Sequence, residues 1–555
     1  MATILPTIAS AQTLPNPVQT RYRLVPIPYD AIDGCTDRSE TVGLGLNDCG
    51  EVTGFIEFDH SPCSGHPFFY SFCANNYLIP SQTTRDLAKL ASHATWFGKA
   101  HEIDNAGVIS GWLGAAVIPP EGTSGTPWLW KMASYSPTLD RVTVNFTLGS
   151  GLLGEAMSVN SEADPLLVGY TLSNDPTPKK LAFRSRLSAG GAITAVPLAP
   201  SDPESFAMDV NTPASGQSPR AAGGSIGFTL FPDPPCGALT VDDALIWTIG
   251  TTTTVSQLTE SSTTASIFNL WQASSLAVNA AGDSAGWRSQ NFDCVHRAVV
   301  WIGGSPIDLG FLAPIPSDGR TEVRGMTGAD SAGALQLVGT DTLYAKAWIW
   351  WRSSSTTAFA AVPMSSLCLL VPIGMPFNEL SELNDVNKWG WMVGTAKLNG
   401  APAKQAVLLI PQLCLYDLNF NGITDGADLS IVTGSWGPCP AGASCLADLD
   451  CDHTVGPADL GMILGAWGTL CDPPCVMAGC PQGGSSEAMA SNGAEVAMQE
   501  GAESAPTSAV SLAAAAYGFE SVALFSAWVG SLPATEALAV ADVVAALVEQ
   551  NGGDV

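Results

Sequence analysis

The chain has 555 residues, 46% apolar and 13% charged, so most of it can bury a core and wholesale disorder is excluded. Lys and Arg number 22 against 51 Asp and Glu; a net charge of −29 excludes nucleic acid and anionic membrane surfaces as expected partners and suits divalent cations. Of the 14 cysteines, Cys414, Cys439, Cys445, Cys451, Cys471, Cys475 and Cys480 crowd one short stretch without a C-x-x-C pair, which reads as disulfides in an oxidising compartment rather than a zinc site.

Residues 1–20 read as a signal remnant or an unstructured N-terminus. MATILPTIASA ends in the small-x-small pattern Ala9-Ser10-Ala11 but lacks a basic start. No later stretch reads as a membrane span; the best, 511–531, is interrupted by Glu520. The expected location is secreted or at the cell surface.

From 21 to 411 short runs rich in Val and aromatic residues, such as AVVWI (298–302) and AWIWW (347–351), alternate with Gly, Ser, Asn and Pro and read as strands. One signature recurs: an apolar residue, Asn or Asp, a short turn ending in Gly, and a second Gly four residues on. It stands as LNDCGEVTG (46–54), IDNAGVISG (103–111), VNAAGDSAG (278–286) and VNKWGWMVG (386–394), with looser copies at 159–169, 210–216 and 326–339. The lead positions Asn47, Asp104, Asn160, Asn211, Asn279, Thr327 and Asn387 lie 57, 56, 51, 68, 48 and 60 residues apart, room for one four-stranded unit each. Asn and Gly there suit a turn of positive φ, and aromatic strands such as HPFFYSF (66–72) and PWLWKM (127–132) are read as opening each unit. Such units cannot bury both faces alone, so the expected fold is mainly β, a seven-bladed β-propeller. The repeats resemble the HAF repeats of secreted bacterial proteins, HRAVVWIGGSPIDLGFL (296–312) being the nearest match.

Within this region GGSIG (223–227) matches G-x-S-x-G, but FTLFP follows as a strand where a nucleophile elbow needs a helix, so Ser225 reads as a blade turn. Asp59, Glu102, Asp104, Glu155 and Asp209 are candidates for a carboxylate pair of a glycosidase, though spacing alone does not bring any two together. Asp104 belongs to the repeat turn, and His101 beside Glu102 reads as a surface pair.

Residues 412–472 carry two loops at an offset of 31, DLNFNGITDGAD (417–428) and DLDCDHTVGPAD (448–459), each followed by Leu, six residues and Trp-Gly. A 12-residue calcium loop supplies oxygens from positions 1, 3, 5, 7 (through the backbone), 9 and 12. The first loop offers Asp417, Asn419, Asn421, the Ile423 carbonyl, Asp425 and Asp428, with Gly422 at the sharp turn. The second offers Asp448, Asp450, Asp452, the Thr454 carbonyl and Asp459; His453 takes the Gly position and Gly456 leaves position 9 without a side chain. His453 is expected in a left-handed turn and not as a ligand, and Pro457 at a helix start. Asp at position 12, the pairing of two loops, and apolar helices Leu429 to Trp436 and Leu460 to Trp467 resemble a dockerin, a small all-α pair of loop-helix units. That resemblance implies calcium as cofactor and a cohesin-like or other cell-surface protein as partner. Positions 10 and 11, through which dockerins bind cohesins, are Gly426, Ala427, Pro457 and Ala458 here and depart from the family's polar pattern.

Residues 473–511 read as a Cys-containing, acidic, disordered linker, and 512–555 as a short segment with helical spacing over 533–550. The reading that results is a secreted calcium-binding protein whose propeller binds a glycan or protein. Its alternative is a polysaccharide-degrading hydrolase or lyase carrying a dockerin.

Overall fold

The computed structural model describes residues 14–469 apart from 19, 28–37, 59–64, 73–83, 91–96, 115–125, 133–141, 148–152, 174, 176–177, 187–195, 198–203, 232–238, 251, 259–270, 291–294, 310–318, 331, 364–366, 372–376, 399–403, 412–415, 420–422 and 440–443. Expectations for Asp59, Asn421, Gly422, the start of the chain and the segments 473–511 and 512–555 therefore lie outside the described residues.

The signature folds the same way wherever it occurs. A strand arrives at the lead residue, the chain turns, and a second strand returns antiparallel. Around Asn47, the Asn47 N–H donates to the Glu51 carbonyl and the Gly50 N–H to the Asn47 carbonyl, at 3.1 and 3.3 Å. Gly50, Gly107, Gly282 and Gly390 hold φ between 72° and 81°, the left-handed conformation such a hairpin needs. Positive φ thus falls on the glycine alone. The asparagine acts through its side chain: Asn387 Oδ1 accepts from the Trp389 and Trp391 N–H groups, both at 3.0 Å, and Asn47, Asp104 and Asn279 serve their own turns in the same way.

The second glycine answers to a different constraint. A Cβ on Gly54, Gly111, Gly169, Gly223, Gly286, Gly339 or Gly394 would meet a carbonyl oxygen of the preceding strand at 1.9–2.1 Å. In each case that carbonyl lies five residues before the lead. At Gly54, Gly111, Gly169 and Gly223 a ring of Phe68, Trp130, Phe183 or Trp247 lies against the same spot from the third strand. The aromatic strand is therefore the third of its unit and follows the signature, whereas the sequence reading placed it first.

These hairpins build a β-propeller. Five four-stranded antiparallel sheets stand separately over 97–147, 154–197, 205–257, 271–308 and 321–363. The expected set of seven separate blades is not formed. The first and last copies share one ten-stranded sheet, in which the meander from 38 to 86 meets the strands Phe377–Val386, Met392–Leu398 and Lys404–Pro411 through a Glu40–Lys404 bridge. The N-terminal strand Arg21–Pro26 pairs antiparallel with Lys404–Pro411, so the two ends of the repeat region are hydrogen-bonded together. Ser225 sits within the strand Arg220–Phe231, paired with Ser205 and Asp243, and not in a turn.

The apolar core is divided among the seams between neighbouring sheets. Phe69 and Leu87 pack with Ala100, Ile109 and Trp130; Leu166 and Val168 with Leu245 and Trp247; Val300 with Leu337 and Trp350. Lead asparagines lace these seams. Asn47 Nδ2 donates to the Asp104 carbonyl, Asn160 Nδ2 to that of Asn211, Asn211 Nδ2 to that of Asn279, and Asn387 Nδ2 to that of Asn47, at 2.8–3.0 Å, which laces four of the seven seams and joins the last copy to the first.

A second unit, with helices Gly426–Gly434 and Pro457–Gly465, packs Leu418, Leu429, Val432, Leu449, Leu460 and Ile463 into its own core. Both helices start earlier than the sequence reading had them, because the loop's last turn is already helical. The strand Ser444–Cys445 pairs with Cys368–Val371 at the edge of the ten-stranded sheet and attaches this unit to the propeller.

The lacing predicts a graded response at Asn387. Asn387→Thr, the residue that stands at lead 327 and accepts from the Gln336 N–H at 3.1 Å, keeps a neutral turn acceptor and loses the link to Asn47, at about 1 kcal/mol of stability; Asn387→Ala also strands two N–H groups and costs roughly 2–4 kcal/mol. Denaturant unfolding of the two variants measures the difference.

Candidate functional site

Two places gather polar side chains, the paired loops and the centre of the propeller. The loops are related by the sequence offset. In the second loop Val455 pairs with Gly437; in the first, Thr424 bonds Gly468 and Thr469, the equivalent positions of the other unit. Each loop is thus held by the end of its partner's helix.

The last carboxylate of each loop organises the backbone. Asp428 is fully buried; its Oδ1 accepts from the Leu418 and Asn419 N–H groups at 2.6 and 3.1 Å, and its Oδ2 from Asp425 at 2.8 Å. Asp459 does the same for Leu449, Asp450 and Gly456. Burial pushes both carboxyls up to about 6, against backbone hydrogen bonds that draw them down and the charges of Asp417 and Asp450 that add to the rise. Asp425 caps its helix, its Oδ1 accepting from Ala427 at 2.8 Å. The other helix begins at Pro457 as expected, after Gly456.

In the second loop Asp448, Asp450 and Asp452 each bring a carboxylate oxygen within 4.8 Å of the other two. They are buried, half-buried and exposed in that order, so the group opens outward. His453, φ 69°, takes the left-handed turn and donates its N–H to Asp448 Oδ2; Cys451, φ 63°, is a second strained position that the sequence reading missed. The donors are all oxygens at calcium-loop spacing, which fits a hard divalent cation. In the first loop Asp417 and Asp428 are buried, and Asn419, Ile423 and Asp425 half-buried. Cys439 and Cys445 form a disulfide that packs on this unit's core, and Cys49 and Cys451 each belong to a further disulfide of their own.

Six of the seven lead residues, all but Asn160, line one central cavity of about 800 Å³, and Val159 and Ser161 reach it beside the seventh. Just before each lead residue the inner strand slips register. That bulge sets His101, Met157, Met208, Arg324 and Asn384, each three before its lead, on the cavity wall. His101 is not a surface partner of Glu102: its Nε2 lies 3.0 Å from Glu155 Oε2, while Tyr170 donates to Glu155 Oε1 at 2.7 Å. Burial would raise Glu155, but the hydrogen bonds from His101 and Tyr170 and the charges of His101 and Lys99 take it down to about 2. Arg324 bonds Glu322, Glu382 and Asn384 at 2.7–3.0 Å.

Of the carboxylates considered as an acid-base pair, Glu102, Asp104 and Asp209 reach the cavity. Asp385 joins them and was overlooked; its signal is register, since Glu102, Asp209 and Asp385 all stand two residues before a lead. Asp209 Oδ2 accepts from Val278 and Asp385 Oδ2 from Leu46, each across a seam, at 2.7 and 2.9 Å. These two brace blades. Burial, opposed by hydrogen bonds from Leu46 and Val386 and aided by the charges of Asp209 and Asp48, pushes Asp385 up to about 7.

No family model matches the chain, and no curated protein matches it by sequence. Among solved structures, one titled "Structure of a mycobacterium tuberculosis puromycin-hydrolyzing peptidase" aligns with 73% of this chain at 10% identity and a TM-score of 0.37. The aligned part spans 56% of that protein's length, and a likeness this low carries no argument about activity.

Glu51 gives a pH prediction. Burial pushes its carboxyl up to about 7, with the Asn47 hydrogen bond opposing and the Asp104 charge assisting. The folded protein therefore holds a proton that the unfolded chain releases at the ordinary carboxylate value, so this stability is full in acid and lost as pH rises through about 7. Glu51→Gln should leave the melting temperature near its parent value at pH 4 and raise it relative to the parent at pH 8; thermal melts across that range measure it.

Proposed function

We propose that this chain is a secreted or cell-surface calcium-binding protein, in which a dockerin-like pair of loops binds calcium and attaches the molecule to a partner while the propeller binds a ligand. The convergence of Asp448, Asp450 and Asp452 carries the calcium reading. The disulfide Cys439–Cys445 supports an oxidising compartment. Where the chain bonds its own loop turns together, calcium binding adds to folding energy, because the unfolded chain has no such site.

On this reading the ten-stranded sheet counts as two blades sharing an edge, and the propeller has seven HAF-like units, one for each lead residue. A cohesin-like protein or another cell-surface protein is the partner class. The residues at positions 10 and 11 of the loops, Gly426, Ala427, Pro457 and Ala458, offer small and apolar contacts instead of polar ones, so the partner surface should be flatter and less polar than that of a cellulosomal cohesin. Ligand binding by the propeller is favoured over polysaccharide cleavage because Asp209 and Asp385 serve as seam braces.

Calorimetry of the full chain with calcium tests the proposal. Calcium should bind with measurable heat and raise the melting temperature, by about 2.7 kcal/mol of stability at a hundredfold excess over Kd. Asp448→Ala should remove one site and Asp417→Ala the other. Absence of heat, or heat unchanged in both variants, would sink the reading.

A further inference from the structure

Two before a lead stand Gly45, Ala277 and Gly325, which have no polar side chain, and four residues that do, of which three brace a seam and one does not. Ser158 accepts the Val210 N–H at 3.2 Å, Asp209 the Val278 N–H at 2.7 Å and Asp385 the Leu46 N–H at 2.9 Å, each bridging to the next sheet. Glu102 occupies the same position with a side chain one methylene longer. Its one hydrogen bond among the described residues is from its own neighbour, Ile103, at 3.3 Å. The half-buried carboxylate faces the cavity without bracing a seam.

Three sheets further round, Asn279 departs from its own rule. Asn47, Asn160, Asn211 and Asn387 use Nδ2 to reach the next lead carbonyl. Asn279 is 3% exposed, its Oδ1 serves its turn, and its Nδ2 has no acceptor. The neighbouring wall is made of small residues, Ala277, Ala280, Gly325 and Gly328, and the half-buried Trp287 reaches the cavity there. A buried donor without an acceptor costs on the order of 1–3 kcal/mol, which a ligand oxygen or a water would recover.

Charge decides the ligand class. Among cations on the wall, Arg324 is paired with Glu322 and Glu382, Lys388 with Asp48, and His101 with Glu155, while Lys99 lies over the Phe55 ring at 4.2 Å and its charge acts on Glu155. Glu102, Asp209 and Asp385 have no such cation; burial first, then the charges of Asp385 and Asp209, raise Glu102 well above the usual carboxylate range, so a cation that meets Glu102 displaces its proton to solvent and leaves the carboxylate. A bare metal ion is not favoured, since among the described residues the one carboxylate group close enough to ligate is Asp448, Asp450 and Asp452. About 800 Å³ is within the range of small-molecule sites, roughly 300–1,000 Å³.

We propose that the central cavity binds a small organic cation, its ammonium group meeting the Glu102 carboxylate and its other polar atoms facing Asn279 across the cavity. The ammonium is shared chemistry of polyamines and amino sugars. The proposal deepens the reading of the propeller as the ligand-binding part and is independent of the calcium loops.

The test is calorimetry of the full chain at physiological salt with spermidine, a glucosamine trimer and, as the neutral control, an N-acetylglucosamine trimer, each with calcium and with chelator. One ammonium probe should bind at one site per chain, the neutral trimer should not, and chelator should leave the affinity unchanged. Spermidine alone binding assigns a polyamine; the glucosamine trimer alone assigns an amino sugar. Glu102→Gln should weaken binding about tenfold or more while leaving the calcium heat intact. Met208→Arg, which places a cation inside the cavity without removing a brace, should abolish it and serves if Glu102→Gln misfolds. Binding by neither ammonium probe, equal binding by the neutral trimer, or multi-site binding indifferent to Met208→Arg would overturn the proposal. Failure of the calcium reading would show separately, as loss of calcium heat with probe binding retained.

Discussion

The interaction that orients four of the propeller's seven seams, the one between its ends included, is the hydrogen bond from a lead asparagine to the lead carbonyl of the next unit. A four-stranded antiparallel sheet has two apolar faces, and in this chain both are covered by neighbours, so stability belongs to seams more than to blades. Apolar seams alone are permissive about how one sheet sits against the next. A buried amide that must find a carbonyl is not, because leaving it unmade costs more than making it gains. The same asparagine fixes its own hairpin through Oδ1, so one residue sets both the turn and its angle to the next unit. The N-terminal strand on Lys404–Pro411 and the Asn387–Asn47 link apply that rule across the ends of the repeat region.

Much of this could be read from the sequence because repetition makes the turn visible. The lead residues, the left-handed glycines and the existence of β units follow from spacing and residue type. Three features could not be read. The role of Asn side chains depends on a neighbour more than 50 residues away; the second glycine is demanded by a carbonyl on another strand; and the phase of the unit is set by which strands pair, which a circular pattern does not reveal. The loops were more legible, since a 12-residue spacing carries its own geometry, and His453 and Pro457 stand where the residues place them. Asp385 was hidden, and the nearness of Glu102 to it, for a simple reason: they become neighbours only when the sheets close around the cavity.

The two polar centres differ in how they use carboxylates. In the loops, Asp428 and Asp459 gather backbone N–H groups and so shape a cradle whose remaining oxygens face outward. Around the cavity, Asp209 and Asp385 gather N–H groups across seams, and the cost of burying them is carried by those bonds. The departures from each rule mark where chemistry is available: Asp448, Asp450 and Asp452 in the loop, and Glu102 and Asn279 in the cavity.

Native-state hydrogen exchange under rising denaturant tests the closure of the array most directly, read at the amides of Glu51, Val108, Leu166, Asp283 and Trp391, which bond to lead side chains. A ring closed through Asn387 and Asn47 predicts one shared opening free energy, with Glu51 and Trp391 at the ends as protected as Leu166 in the middle. Earlier exchange at Glu51 and Trp391, with protection rising toward the centre of the chain, would show an open array and contradict the account.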